Sequence, residues 1–211
     1  MRMHRRSFFV ALLFAAFATP LAAAPASKNA VYLDTKDGRI TIQLRPDLAP
    51  KAVAQIETLT KQGFYNGLVF HRVIGGFMAQ TGDPTGTGSG GSKLPNLPAE
   101  FTPTPFKRGT IGMARTSDPN SANSQFFICL GAAPFLNGKY TVVGEVVSGM
   151  NVVDKIKKGS ESENGKVVNP DKIVKMEMAS GAAPAMKPAR KAAKKPAKMP
   201  AAATPTAPAP K

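Results

Sequence analysis

Arg72 and Gln80 stand inside an apolar, β-prone run, Phe70-His71-Arg72-Val73-Ile74-Gly75-Gly76-Phe77-Met78-Ala79-Gln80. Gln125 repeats the theme beside Phe126 and Phe127 in a second run, Asn123-Ser124-Gln125-Phe126-Phe127-Ile128. Side chains on a strand alternate faces, so Phe70, Arg72 and Ile74 are expected on one face and His71 on the other. A permanent cation among aromatic and thioether side chains costs stability unless it is paired or used. Two readings follow. Arg72 is half of a structural ion pair, which charge arithmetic alone favours, or it is a fixed hydrogen-bond donor. The second suits a neutral, apolar substrate whose amide needs a donor.

Other chemistries fall away. Gly86-Thr87-Gly88-Ser89-Gly90-Gly91 matches G-x-G-x-x-G by letter, but Pro95 and Pro98 follow where a dinucleotide site needs a helix. It reads as a loop beside the site. No serine sits in a nucleophile elbow, so His71 reads as a structural histidine. With His71 the one histidine outside the N-terminal segment and Cys129 the only cysteine, neither a multi-histidine zinc site nor an intramolecular disulfide can form. Cys129, in an apolar run, reads as a small core residue.

These residues need a scaffold, and the patterning is mostly strands. Val31 and Leu33 alternate with polar neighbours, Asp37-Gly38 turns the chain, and Ile40, Ile42 and Leu44 alternate again, which predicts a hairpin. Pro50 opens a helix with Val53, Ile56 and Leu59 or Thr60 at helical spacing and Gly63 as terminator. Strands are expected over 68–74, 77–81, 109–114, 125–130 and 140–147, a short helix over 149–157, and a last strand through Ile173, Val174, Met176 and Met178. Closing such a sheet removes its edges, so a β-barrel with helices over its ends is favoured over an open sandwich.

The charge is uneven. The 211 residues carry a net +15, yet residues 27–180 hold 18 basic and 13 acidic side chains. That segment of 154 residues is long enough for one domain burying roughly 68–70% of its unfolded surface. Arg2, Arg5 and Arg6 precede an 11-residue apolar run, Phe8 to Ala18, and small residues follow. Residues 1–26 therefore read as a cleavable signal peptide, cut between Ala23 and Ser27. The run is shorter than the ~20 residues that span a bilayer. Residues 181–211 hold 12 Ala, seven Pro and seven Lys or Arg with no acid, a composition that reads as a disordered basic tail. For an exported chain its expected contact is an anionic envelope surface, with nucleic acid not expected.

The runs above extend into a signature. Phe70-His71-Arg72-x-Ile74-x-Gly76-Phe77-Met78-x-Gln80-x-Gly82-Asp83 resembles that of the cyclophilin-type peptidyl-prolyl isomerases. Gly109 to Ala114, Asn123 to Ile128, Phe135 to Tyr140, Val143 to Val146 and Gly149-Met150 follow in the family's order. The resemblance covers residues 29–178, and the export signal and compact loops resemble those of periplasmic bacterial members. It implies a closed eight-stranded antiparallel barrel capped by two helices, and rotation about Xaa-Pro bonds without cofactor, metal or covalent intermediate. It further implies action on proline-containing segments, which with the export signal are expected to be those of exported proteins whose folding is assisted, and a monomer is expected. Arg72 resembles the catalytic arginine, and Gln80 its brace. Phe77, Met78, Phe127 and Leu136 resemble the proline pocket, with Gln125 and Ala114 along the channel and Phe135 and Tyr140 on the far wall. Arg115 stands where the family commonly has Asn, and is expected to leave substrate binding intact with a bias toward acidic partners.

Overall fold

A computed structural model describes residues 29–179. The expected signal peptide, its cleavage point and the basic tail lie outside the described residues. The hairpin forms as expected: β1 (Ala30–Thr35) pairs antiparallel with β2 (Gly38–Leu44), closing at Thr35 opposite Gly38. α1 (Pro50–Lys61) starts with proline at its first turn, where a missing N–H costs nothing. Its free N–H groups are served from afar, Glu100 accepting from Lys51 and Ala52 at 3.0 and 2.9 Å. Six further strands follow: β3 (Arg72–Ile74), β4 (Met78–Thr81), β5 (Thr110–Met113), β6 (Phe126–Cys129), β7 (Val142–Ser148) and β8 (Lys175–Met178). α2 (Met150–Val153) is shorter than its apolar spacing suggested.

The eight strands form one antiparallel sheet ordered β3-β4-β6-β5-β7-β2-β1-β8. It curls strongly, with α1 and α2 packed into a core that includes Val31, Ile42, Ile56, Phe126, Ile128 and Val153. The closed barrel expected above is not formed. β3 and β8 end the ladder and do not pair with each other. The chain just before each is joined by the isolated bridge Val69–Lys172 and by Phe70 N–H donating to the Asp171 carbonyl at 2.9 Å, while β3 itself bonds the following loop, Val73 N–H donating to the Gly165 carbonyl at 2.8 Å. Backbone in the left-handed region at Asn164, Gly165 and Asn169, with Pro170 after them, stops this stretch from extending β8 into a full partner for β3.

Alternation across β3, β4, β5 and β6 divides their side chains between two cores. Val73, Ala79, Ile111, Phe126 and Ile128 point into the curl. Met78, Phe127 and Cys129 point outward into a second cluster that takes in Phe106, Ala133, Leu136 and Val142, with Ile74 against it. Phe70 departs from its expected face. It lies before β3 begins, is fully buried, and packs in the inner core with Val73 while Arg72 faces outward. Period-two reasoning fails there because residues 70 and 71 are not on a pleated strand.

Candidate active site

The outer cluster builds a hollow of about 110 Å³ lined by Arg72, Phe77, Met78, Gln80, Ala114, Arg115, Phe127, Leu136 and Tyr140. Its floor is set by the register Gln80–Phe127–Gly112 across β4, β6 and β5. Gly112 is required there, since a Cβ would come within 2.6 Å of ring atoms of both Phe106 and Phe127. Phe127 stacks on Phe106 at 5.8 Å between centroids and meets the edge of Tyr140 at 6.0 Å. Leu136 reaches the hollow from a 3-10 turn, Pro134–Leu136, which also carries Phe135. Phe135 does not line the hollow. It is 59% exposed, and its ring leans on Phe77 at 5.3 Å, forming a rim.

Arg72 enters from β3, opposite Gln80 in the register with β4. Its Nη1 donates to Gln80 Oε1 at 3.3 Å and approaches Met78 Sδ at 3.8 Å. Its shorter bonds go to a residue that sequence reasoning missed. Asn164 accepts from Arg72 Nε through its backbone carbonyl at 2.9 Å, and from Nη2 through Oδ1 at 2.9 Å. The ion-pair reading of Arg72 finds no support, because no acid pairs with it among the described residues. Burial pushes the guanidinium pKa down from its ordinary value, though such a group stays protonated.

A hydrogen-bond series runs outward from Arg72. Gln80 Nε2 donates to Gln125 Oε1 at 2.9 Å, and Gln125 Nε2 donates to the carbonyls of Gly88 and Gly90 at 2.9 and 2.8 Å. Gln125 therefore borders the adjoining groove, about 510 Å³, which the glycine-rich loop, Ala114 and Arg115 also line. The G-x-G-x-x-G run is a loop, as its prolines implied, with Gly86 and Gly88 at φ of 69° and 92°. Asp83 anchors it, accepting from the N–H groups of Thr85 at 2.8 Å and Gly88 at 2.5 Å and from the Thr85 hydroxyl. Burial alone would raise the Asp83 carboxyl. The donors of Thr85, Gly90 and Gly88 outweigh it and hold the pKa at about 2.

Arg115 works mainly as a strap. It donates to the carbonyls of Thr116, Ser117 and Lys139 at 2.8, 3.3 and 2.9 Å, and its guanidinium lies 4.5 Å from the Tyr140 ring centre. His71 is buried beside Asp83 and Gly88 and does not line the hollow, and neither ring nitrogen has a hydrogen-bond partner among the described residues. Cys129 is fully buried, and burial pushes its thiol up to about 12. No group of three or more His, Cys, Asp or Glu side chains among the described residues could hold a metal ion.

A family model described as cyclophilin type peptidyl-prolyl cis-trans isomerase matches residues 30–178. A probable peptidyl-prolyl cis-trans isomerase of Brucella suis is 61% identical over 178 residues, covering 79% of this chain and 90% of that protein. A peptidyl-prolyl cis-trans isomerase-like 1 protein of Aspergillus fumigatus is 40% identical, covering 70% of this chain and 94% of its own. Among solved structures, a cyclophilin of Hirschia baltica superposes with a TM-score of 0.66 at 29% identity, covering 76% of this chain and 78% of its own. A Cryptosporidium parvum cyclophilin-type isomerase, crystallised in the presence of the dipeptide Ala-Pro, gives 0.65 at 31% identity, covering 72% of this chain and 99% of its own.

Proposed function

The chain belongs to the cyclophilin-type peptidyl-prolyl cis-trans isomerases, and from that premise we propose that Arg72 catalyses rotation of Xaa-Pro bonds seated in the hollow beside it. The observation that carries this is a charged guanidinium, unpaired with any acid among the described residues, fixed at the lip of an apolar pocket built by Phe77, Met78, Phe127 and Leu136. Amide resonance gives the Xaa-Pro bond a barrier of about 18–20 kcal/mol. Twisting breaks that resonance and leaves a lone pair on the prolyl nitrogen. A donor aimed at that nitrogen binds the twisted state better than either planar one, and only such differential binding speeds the step. The pocket grips the proline ring while the preceding carbonyl swings.

The adjoining groove suits the residues before proline, with Gln125 and Ala114 along it. The Ala-Pro dipeptide present with the Cryptosporidium relative supports a proline-containing substrate here too. Exchange NMR on an Xaa-Pro peptide tests the proposal. Arg72→Ala is expected to lower the catalysed rate at least ~10²-fold, as for loss of one transition-state donor. Equal rates would remove Arg72 from the mechanism. Retained peptide binding without turnover in the unaltered chain would instead make the protein a holding module.

The clients we propose are proteins folding in the bacterial periplasm. The support is the arginine-led apolar run at the N-terminus. Recovery from a Gram-negative host of protein starting between Ala23 and Ser27 is expected, and an intact Met1 would refute it. The basic segment 181–211 is proposed to touch anionic envelope surfaces. Salt-sensitive binding to anionic vesicles should disappear when it is deleted, and binding that is unchanged would return it to a solvated appendage.

A further inference from the structure

Asn164 holds Arg72 in an unusual way. Two oxygens side by side on the Nε–Nη2 edge of a guanidinium is the arrangement an Asp or Glu carboxylate makes. Here both oxygens come from one neutral residue, the backbone carbonyl and Oδ1 of Asn164, each at 2.9 Å. A carboxylate would grip the fork equally well and cancel its charge. The amide pair grips it and leaves the charge whole, and charge aimed at the reacting nitrogen is what the proposed step uses. Glu161 and Glu163 lie within three residues of Asn164, yet both are exposed and neither pairs with Arg72.

The backbone makes this double grip possible. Asn164 has φ 54° and Gly165 φ 80°, left-handed conformations that Asn and Gly adopt most readily. Gly165 N–H donates to Ser160 at 2.8 Å, and Val73 N–H donates to Gly165 at 2.8 Å. The turn is thus tied to the residue after Arg72 in β3, so clamp and guanidinium are held to the same strand. Nη1 is left on the pocket side with Gln80 and Met78.

We propose that Asn164 is a positioning residue of the isomerase site, a neutral two-oxygen clamp that orients Arg72 without neutralising it. The proposal rests on the isomerase reading above. Asn164→Asp keeps the oxygens and tolerates the left-handed turn, but adds a negative charge. It should lower kcat by about tenfold or more with KM within about twofold, and leave Tm equal or higher through the new ion pair. Asn164→Gly keeps the turn and the backbone acceptor but drops Oδ1. It should lower kcat several-fold and shift the Arg72 Nε–H resonance.

A merely structural Asn164 predicts the reverse pattern, with Tm falling in the glycine variant and kcat intact in both. Exchange NMR on an Xaa-Pro peptide, run beside thermal unfolding, separates these outcomes. Wild-type kcat in Asn164→Asp overturns the proposal. Should that variant fail to fold, wild-type kcat in Asn164→Gly overturns it equally. Absence of turnover in the unaltered chain would refute the isomerase reading itself and this inference with it.

Discussion

Asp83→Asn should both unfold the protein more easily and slow the enzyme, although Asp83 touches no part of the hollow. The carboxylate is fully buried and accepts from Thr85 and Gly88 in a loop whose carbonyls hold Gln125. With the folded pKa near 2 against an ordinary value of 3.8, linkage assigns the ionised carboxylate about 2–3 kcal/mol of stability. An Asn amide has one acceptor oxygen and presents donors where Gly88 or Thr85 also donates. Leaving one donor unmet adds about 1–3 kcal/mol, for a total near 3–6 kcal/mol. At about 2–4 °C per kcal/mol for a chain of this size, Tm should fall by roughly 6–24 °C. With the Gly88 and Gly90 carbonyls displaced, Gln125 and then Gln80 lose their alignment, and kcat/KM should fall about tenfold. The folded pKa is depressed, so this stabilisation is fully present above the unfolded value and is lost as pH falls through about 2. Acid unfolding of the wild type should therefore show a component that the variant lacks. Differential scanning calorimetry against pH and exchange NMR provide the readings. A variant within about 2 °C of wild type with unchanged kcat/KM would refute the anchoring role.

Burial pushes the His71 pKa down, against the pull of Asp83, so the folded state resists a proton that the unfolded state accepts. Stability should then decline as pH falls from about 7 through the ordinary histidine range, and the decline should be absent in His71→Phe; parallel Tm–pH curves would contradict this. Arg115→Ala removes three carbonyl bonds and a contact over Tyr140. On this partly exposed side chain the loss should be about 1–2 kcal/mol, with a higher KM. Selectivity for Glu over Lys before proline should change by less than about threefold. A tenfold change, about 1.4 kcal/mol, would instead make Arg115 a reader of acidic substrates.

Several residues that line the hollow are legible in the sequence where a local pattern carries them. Arg72, Gln80 and Phe127 interrupt or occupy short alternating runs, and the pleat delivers them to one surface. The hairpin of β1 and β2 and the start of α1 at Pro50 carried turn and breaker signals of their own. Asn164 carried none beyond an Asn-Gly pair in a polar loop, and it meets Arg72 across 92 residues. No spacing rule reaches that far. The barrel closure failed for a related reason, since the lengths of β3 and β8 are set by loop backbone at 164–170 and not by hydrophobic period. Phe70 lies off its expected face because the run keeps strand-like composition two residues before the strand begins.

The series from Arg72 through Gln80 and Gln125 to the Gly88 and Gly90 carbonyls has a polarity. One end can only donate and the other can only accept, so the two amides between them have a single satisfactory orientation. For an evolving lineage this is epistasis written into side-chain chemistry. A Glu at either amide position would set an acceptor against an acceptor at one junction, and a Lys a donor against a donor. Neutral drift should therefore pass around these positions, and a workable substitution at one should arrive only with its neighbour already changed.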